Sequence, residues 1–166
     1  MCDDDFHAGE LAAQQKWQTT AIWDQARRNR LLLNEIPEQF QQRVAGAPFF
    51  FLATSNRDGA CDCSFKGGGA GIIELLDSKQ LVFPDFDGNG AFMSLGNILE
   101  NPHVGLLFID FADGGRLRVN GTASVHEAGR LKNLFPDSPR AIHIAIEQVV
   151  PNCAAHVPNL VPGKQG

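Results

Sequence analysis

From Arg116 to His126 the chain alternates with a period of two. Leu117, Val119, Ala123 and Val125 fall on one face, and Arg116, Arg118, Asn120, Thr122 and Ser124 fall on the other. A side-chain period of two belongs to a half-buried β-strand and excludes a helix, whose period is 3.6. One long strand needs partners, and the rest of the sequence supplies them. Phe49 to Thr54 is a short apolar run that leads into the turn chemistry of Asn56-Arg57-Asp58-Gly59. Ala60 to Lys66 then alternates, with Cys61, Cys63 and Phe65 facing one way and Asp62, Ser64 and Lys66 the other. Further strands are predicted at 70–76, 80–84 and 103–111, the last one central because both its faces are apolar. Ile142, Ile144 and Ile146 alternate again.

Helical patterns flank these strands. Residues 8–30 favour helix, with Leu11, Trp17 and Ile22 as apolar anchors. Residues 35–45 carry Ile36, Phe40 and Val44 four apart, with Pro37 in the first turn, where proline is tolerated. Phe92, Leu95, Ile98 and Leu99 recur at helical spacing and stop at Asn101-Pro102, and a short helix is expected near 128–134. Six or so short strands with hairpin turns and inserted helices predict a mainly β fold, a small antiparallel barrel. The expected division is a helical N-terminal extension over 1–47, the barrel domain over 48–150 and an irregular tail over 151–166.

A chain of 166 residues that is 43% hydrophobic can bury a core without disulfide staples. Its net charge of −5 argues against wrapping nucleic-acid phosphates, and no apolar run approaches the roughly 18 residues of a helical membrane span. The acidic start, Met1-Cys2-Asp3-Asp4-Asp5, shows no secretory signal. Cys2, Cys61, Cys63 and Cys153 form no CxxC pair. Cys61 and Cys63 are read as reduced thiols packed as small apolar core residues, which points to a reducing cytoplasm.

Several motifs fail on inspection. Lys66-Gly67-Gly68-Gly69-Ala70-Gly71 lacks the Gly-Lys-Ser/Thr ending of a phosphate-binding P-loop. Asp85-Phe86-Asp87-Gly88-Asn89-Gly90 matches the first half of a calcium loop, but Gly96 stands where the closing glutamate is needed. The five histidines are scattered, and His143, set among isoleucines, reads as a satisfied strand histidine. No metal site is expected. What remains is a polar set of Ser64 and Lys66 at a strand end, Ser94 at a helix start, and Arg116 and Arg118 on one strand face. A helix N-terminus beside hydroxyls and a lysine suits a phosphate, whereas outward arginines on a strand suit plain solvation. The residues alone leave both readings open.

Taken in order, several stretches resemble the pyridoxamine 5′-phosphate oxidase-related, FMN-binding split-barrel superfamily. They are Phe51-Leu52-Ala53-Thr54, Asp62-Cys63-Ser64-Phe65-Lys66-Gly67, Leu81-Val82-Phe83-Pro84-Asp85, Ser94 to Pro102, Val104 to Phe108 and Leu117 to Gly121. The opening Phe6-His7-Ala8-Gly9-Glu10-Leu11 and the closing Pro151-Asn152-Cys153 extend the likeness to a branch of predicted flavin-nucleotide-binding proteins. The resemblance implies a six-stranded antiparallel split barrel and a homodimer that holds FMN at its interface.

It also implies site residues. Cys61, Asp62, Cys63, Ser64, Phe65 and Lys66 correspond to the strand that lines the flavin. Pro84 and Asp85 correspond to a pair beside its phosphate. Asn89 and Ser94 fall in the phosphate region, Arg116 falls near the ring, and Leu95 and Arg118 complete the expected cofactor-binding set. Cys61 stands where the oxidases carry an arginine, and Ser94 stands for a lysine. Each lost charged hydrogen bond weakens phosphate binding by about 1.5–3 kcal/mol. The tryptophan- and arginine-bearing C-terminal segment of true pyridoxamine phosphate oxidases has no counterpart, since Trp17 and Trp23 are both N-terminal. Vitamin B6 oxidation is therefore not expected. The expectation is an FMN oxidoreductase. Its alternatives are a non-catalytic flavin-binding module, or a split barrel using F420 or haem.

Overall fold

The computed structural model describes residues 5–152, 154–158 and 160. Cys2, Cys153 and residues 159 and 161–166 of the expected tail lie outside them. The chain divides into two compact units, Met1–Leu33 and Asn34–Gly166.

The first unit is helical but broken. Helix α1 (Ala8–Lys16) opens with a reciprocal cap: the Gly9 N–H donates to His7 Nδ1 at 3.1 Å and the His7 N–H to Glu10 Oε2 at 3.0 Å. Gln18 takes a left-handed conformation (φ 57°), and α2 (Gln25–Leu31) begins anew on Asp24, whose Oδ1 accepts the Arg27 N–H at 2.7 Å. The single helix expected over 8–30 is thus two helices, because a left-handed residue and a second N-cap interrupt it. The expected anchors also differ. Leu11, Trp17 and Ile22 are exposed, while Phe6 and Trp23 meet edge to face at 5.1 Å.

In the second unit, α3 (Glu38–Ala45) follows Pro37, which is the N-cap rather than a first-turn residue, and Ile36 and Val44 are fully buried. The strands are β1 (Phe49–Ser55), β2 (Cys61–Gly67), β3 (Glu74–Asp77), β4 (Gln80–Asp85), β5 (His103–Ile109), β6 (Arg116–His126) and β7 (Arg140–Asn152). Helix α4 (Met93–Glu100) lies between β4 and β5, and α5 (Gly129–Asn133) between β6 and β7. All pairings are antiparallel, in the order β2-β1-β5-β6-β7-β4-β3.

The expected six-stranded split barrel is corrected in its strand count: the sheet has seven strands, and its ends, β2 and β3, do not pair to close it. The strand expected at 70–76 is β3, only four residues long, paired only with β4 and interrupted between Leu75 and Asp77, so it ends the sheet instead of closing it. Strand β5 is central, as both of its apolar faces predict.

The core gathers on one face, from Phe50, Leu52, Leu106, Phe108, Leu117, Val119, Ile142 and Ile144, all at most 2% exposed. His143 is satisfied within the sheet: its Nε2 lies 3.0 Å from Gln80 Oε1. Partial burial and the nearby His126 hold its pKa below the ordinary histidine value. No helix among the described residues is long and apolar enough to cross a membrane.

Candidate functional site

The alternation of β2 determines which side chains can converge. Asp62, Ser64 and Lys66 point toward α4, and two contacts show it: Ser64 Oγ lies 3.0 Å from Ser94 Oγ, and the Ser94 hydroxyl lies 3.3 Å from Asp62 Oδ2. Asn97 Nδ2 donates to Thr54 Oγ1 at 2.9 Å and fastens the helix to β1. The first turn of α4 has no side-chain cap and no acidic residue. Its free N–H groups give that end a partial positive charge.

These elements enclose a cavity of ≈ 220 Å³. Asp62, Ser64, Lys66, Asp85, Asn89, Ser94 and Leu95 line it, joined by Phe86, Gly88, Gly90, Phe92 and Met93. Seven of the thirteen expected site residues therefore meet in one place. Lys66 Nζ lies 3.9 Å from Asp85 Oδ1, and Asp85 is 8% exposed. The other oxygen of Asp85 receives Arg140 Nε at 2.8 Å, and Arg140 Nη2 donates to Asp87 Oδ1 at 2.7 Å. Both aspartates thereby hold the guanidinium more firmly protonated. Ser138 Oγ lies 2.8 Å from the Asp85 carbonyl and 2.7 Å from that of Arg140, sharing its one proton between them. The carboxylates of the calcium-like loop are thus spent on Arg140, and no metal-holding cluster of three such groups exists among the described residues.

The other six expected residues lie elsewhere. Pro84 is buried in β4 opposite Ala141. Cys61, Cys63 and Phe65 occupy the opposite face of β2, and all three are exposed. The reading of the two thiols as core residues is overturned: α4 covers the polar face of β2 and leaves the apolar face open. Cross-strand pairs carry that open face across the sheet from Phe65 through Phe51 and Leu107 to Arg118. Arg116, two residues back, shares it, and Arg118 Nε donates to Asn152 Oδ1 at 3.1 Å. Phe65 and Phe111 stack on Phe49 at 5.3 and 6.2 Å, so the open face is aromatic.

A larger recess of ≈ 670 Å³ adjoins this face, between Arg43, Phe49, Phe108 and Phe111. Its arginine is committed to Asp113 at 2.5 Å. The Gly115 N–H, and then Arg43, hold the Asp113 carboxyl below the usual range. Anion chemistry therefore centres on the smaller cavity, where a lysine, two hydroxyls and a free helix end converge.

Sequence reasoning missed Arg140 and Ser138. Arg140 directly precedes the Ile142–Ile146 alternation, but only the register of β4 on β7 sets it opposite Asp85. The donor set suits the phosphate end of a mononucleotide. The cavity is smaller than the roughly 300–1,000 Å³ that surrounds a whole drug-sized ligand, so a flavin ring would lie outside it.

A family model described as pyridoxamine 5′-phosphate oxidase matches residues 36–154. HupZ of Group A Streptococcus is similar in structure with a TM-score of 0.57 at 17% identity, over 76% of this chain and 100% of that one. General Stress Protein 26 of Bacillus anthracis gives 0.53 at 22%, over 68% and 89%. An FMN-binding protein of Syntrophomonas wolfei gives 0.51 at 12%, over 88% and 98%. At these identities the likeness shows the fold. No curated protein matches the sequence.

Proposed function

The chain belongs to the pyridoxamine 5′-phosphate oxidase family, and from that premise we propose that it is an FMN-binding oxidoreductase acting as a homodimer. The observation that carries this reading is the cavity at the end of β2, where Lys66, Ser64, Ser94 and the uncapped start of α4 face one another. Bound FMN would supply hydride and electron transfer, and the protein's part is to bind and orient it. Lys66 provides positive charge, and the Ser64 and Ser94 hydroxyls and the α4 amides donate to phosphate oxygens. Asn89, whose Oδ1 accepts the Ala91 N–H at 3.0 Å, shapes the loop over them.

The aromatic face is assigned to the second copy. Phe65 is 62% exposed at a sheet edge, and apolar area of this kind is what subunits bury. A second copy would also bring Arg116 and Arg118 to the flavin ring, which one subunit alone does not do. Phe65→Asp places a charge in that interface and is expected to shift the protein from twice the subunit mass to the monomer in light scattering. A dimer that persists unchanged would remove this face from the assignment.

The flavin reading is tested by the absorption spectrum of the purified protein and mass spectrometry of what it releases on denaturation. FMN near one per subunit is expected. Released F420 or haem, or a colourless protein that takes up no added FMN, would overturn it. Turnover with NADH, NADPH or oxygen separates an enzyme from a binding module. Lys66→Ala is expected to weaken FMN about 10- to 100-fold, the loss of one charged hydrogen bond.

A further inference from the structure

Among the described residues lining the cavity, Lys66 is the one cation, and it is outnumbered by Asp62 and Asp85. A phosphate dianion entering there needs more positive charge. Arg140 stands directly behind the wall. It pairs across the sheet with Asp85, and its guanidinium carbon lies 5.0 Å from the ring centre of Phe92, which also lines the cavity. Its side chain is 16% exposed.

The two carboxylates on this guanidinium are not equivalent. Asp85 sits in β4, with its side chain 10% exposed, whereas Asp87 sits in the loop after β4, with its side chain 74% exposed. An ion pair on such an exposed carboxylate is cheap to exchange. Phe92 ends the same loop in a left-handed conformation (φ 50°) that a bulky side chain rarely adopts. Arg140 therefore holds the loop at both ends, through Asp87 and through the ring of Phe92.

We propose that Asp87 is an internal substitute for the ligand's phosphate: it occupies Arg140 in the free protein, and a phosphomonoester displaces it on binding. The proposal rests on the phosphate reading of the cavity given above. Asp85 keeps its hold on Nε and fixes the guanidinium, while Nη2 changes partner from Asp87 to a phosphate oxygen. Arg140 thus adds positive charge beside a site where Lys66 is the one cation among the described lining residues. The loop from Phe86 to Phe92 is released as the ligand enters, so binding and loop opening are coupled.

The test is titration calorimetry of the full chain with FMN and with riboflavin, which lacks the phosphate. Asp87→Asn removes the competing charge and is expected to tighten FMN about three- to tenfold while leaving riboflavin unchanged. Arg140→Gln is expected to weaken FMN at least about tenfold, again sparing riboflavin. Weaker or unaltered FMN binding by Asp87→Asn overturns the proposal, and so does an equal loss of both ligands in a folded Arg140→Gln. Asp87 is exposed, so the Asp87→Asn arm decides the matter if Arg140→Gln does not fold. If no variant binds either flavin, the flavin reading fails separately. Inorganic phosphate is then titrated by phosphorus NMR, where binding strengthened by Asp87→Asn supports the substitution role and its absence overturns it.

Discussion

Phe50→Ala is expected to destabilise the protein by about 3–5 kcal/mol, roughly the range for deleting a fully buried phenyl ring. Phe50 is 0% exposed. It meets Phe83 edge to face at 5.0 Å and Phe108 at 5.5 Å, and so ties β1 to both β4 and β5. Alanine leaves a ring-sized void that neighbours on three strands cannot collapse into without disturbing their registers. In a domain of this size a melting-temperature drop of about 10 °C or more should follow. Phe50→Leu keeps most of the volume and should cost much less, about 1.5 kcal/mol. Phe50 is also the cross-strand neighbour of Lys66. The alanine variant should therefore loosen the cavity wall and weaken flavin binding at temperatures where it remains folded. Denaturant unfolding followed by circular dichroism gives the first number, and a cost under 1 kcal/mol would contradict the packing described.

The second large effect is expected at Gly121. A Cβ there would stand 2.1 Å from the Ala145 carbonyl oxygen and 3.2 Å from the Ile146 Cα. Those atoms are strand backbone in β7 and have no rotamer to escape into. Gly121 also sits at the register shift where Asn120 faces Gln148 but Gly121 faces Ile146, leaving Glu147 as the extra residue of a bulge. Gly121→Ala must therefore push the two longest strands apart, at a cost of about 2–3 kcal/mol. Gly105→Ala is the matched control: its Cβ would meet the Asn120 side-chain oxygen at 3.3 Å, an atom that can shift. Gly88→Ala meets nothing within 4 Å and should be nearly silent. Equal melting temperatures for the Gly121 and Gly88 variants would show that the close approach is relieved at no cost.

The legible parts of this protein share one property: they depend on spacing within a segment. Period two in Arg116–His126 and in Ala60–Lys66, and helical spacing from Leu95 to Ile98, are local patterns, and the strands and helix form where they fall. The convergence of Ser64, Lys66 and Ser94 was legible because one strand end and one helix start each carry their own signal. The break at Gln18 was missed, because a left-handed residue that is not glycine leaves little local trace. The strand expected at 70–76 forms only over Glu74–Asp77, because Gly69 and Gly71 take positive φ before it and its register is interrupted after Leu75.

Local pattern was enough to show which side chains share a face and that Asp62, Ser64 and Lys66 must point together. Tertiary structure alone decided which face is covered. Alternation separates two faces and is silent on which one a remote element will seal. Here α4, some thirty residues later, closes over the polar face of β2, leaving Cys61, Cys63 and Phe65 exposed. The same holds for Arg140, which lies 55 residues from Asp85 and meets it only through the pairing of β7 on β4. That pairing is set by the burial of whole strands, a free energy summed over the sheet and written in no single segment.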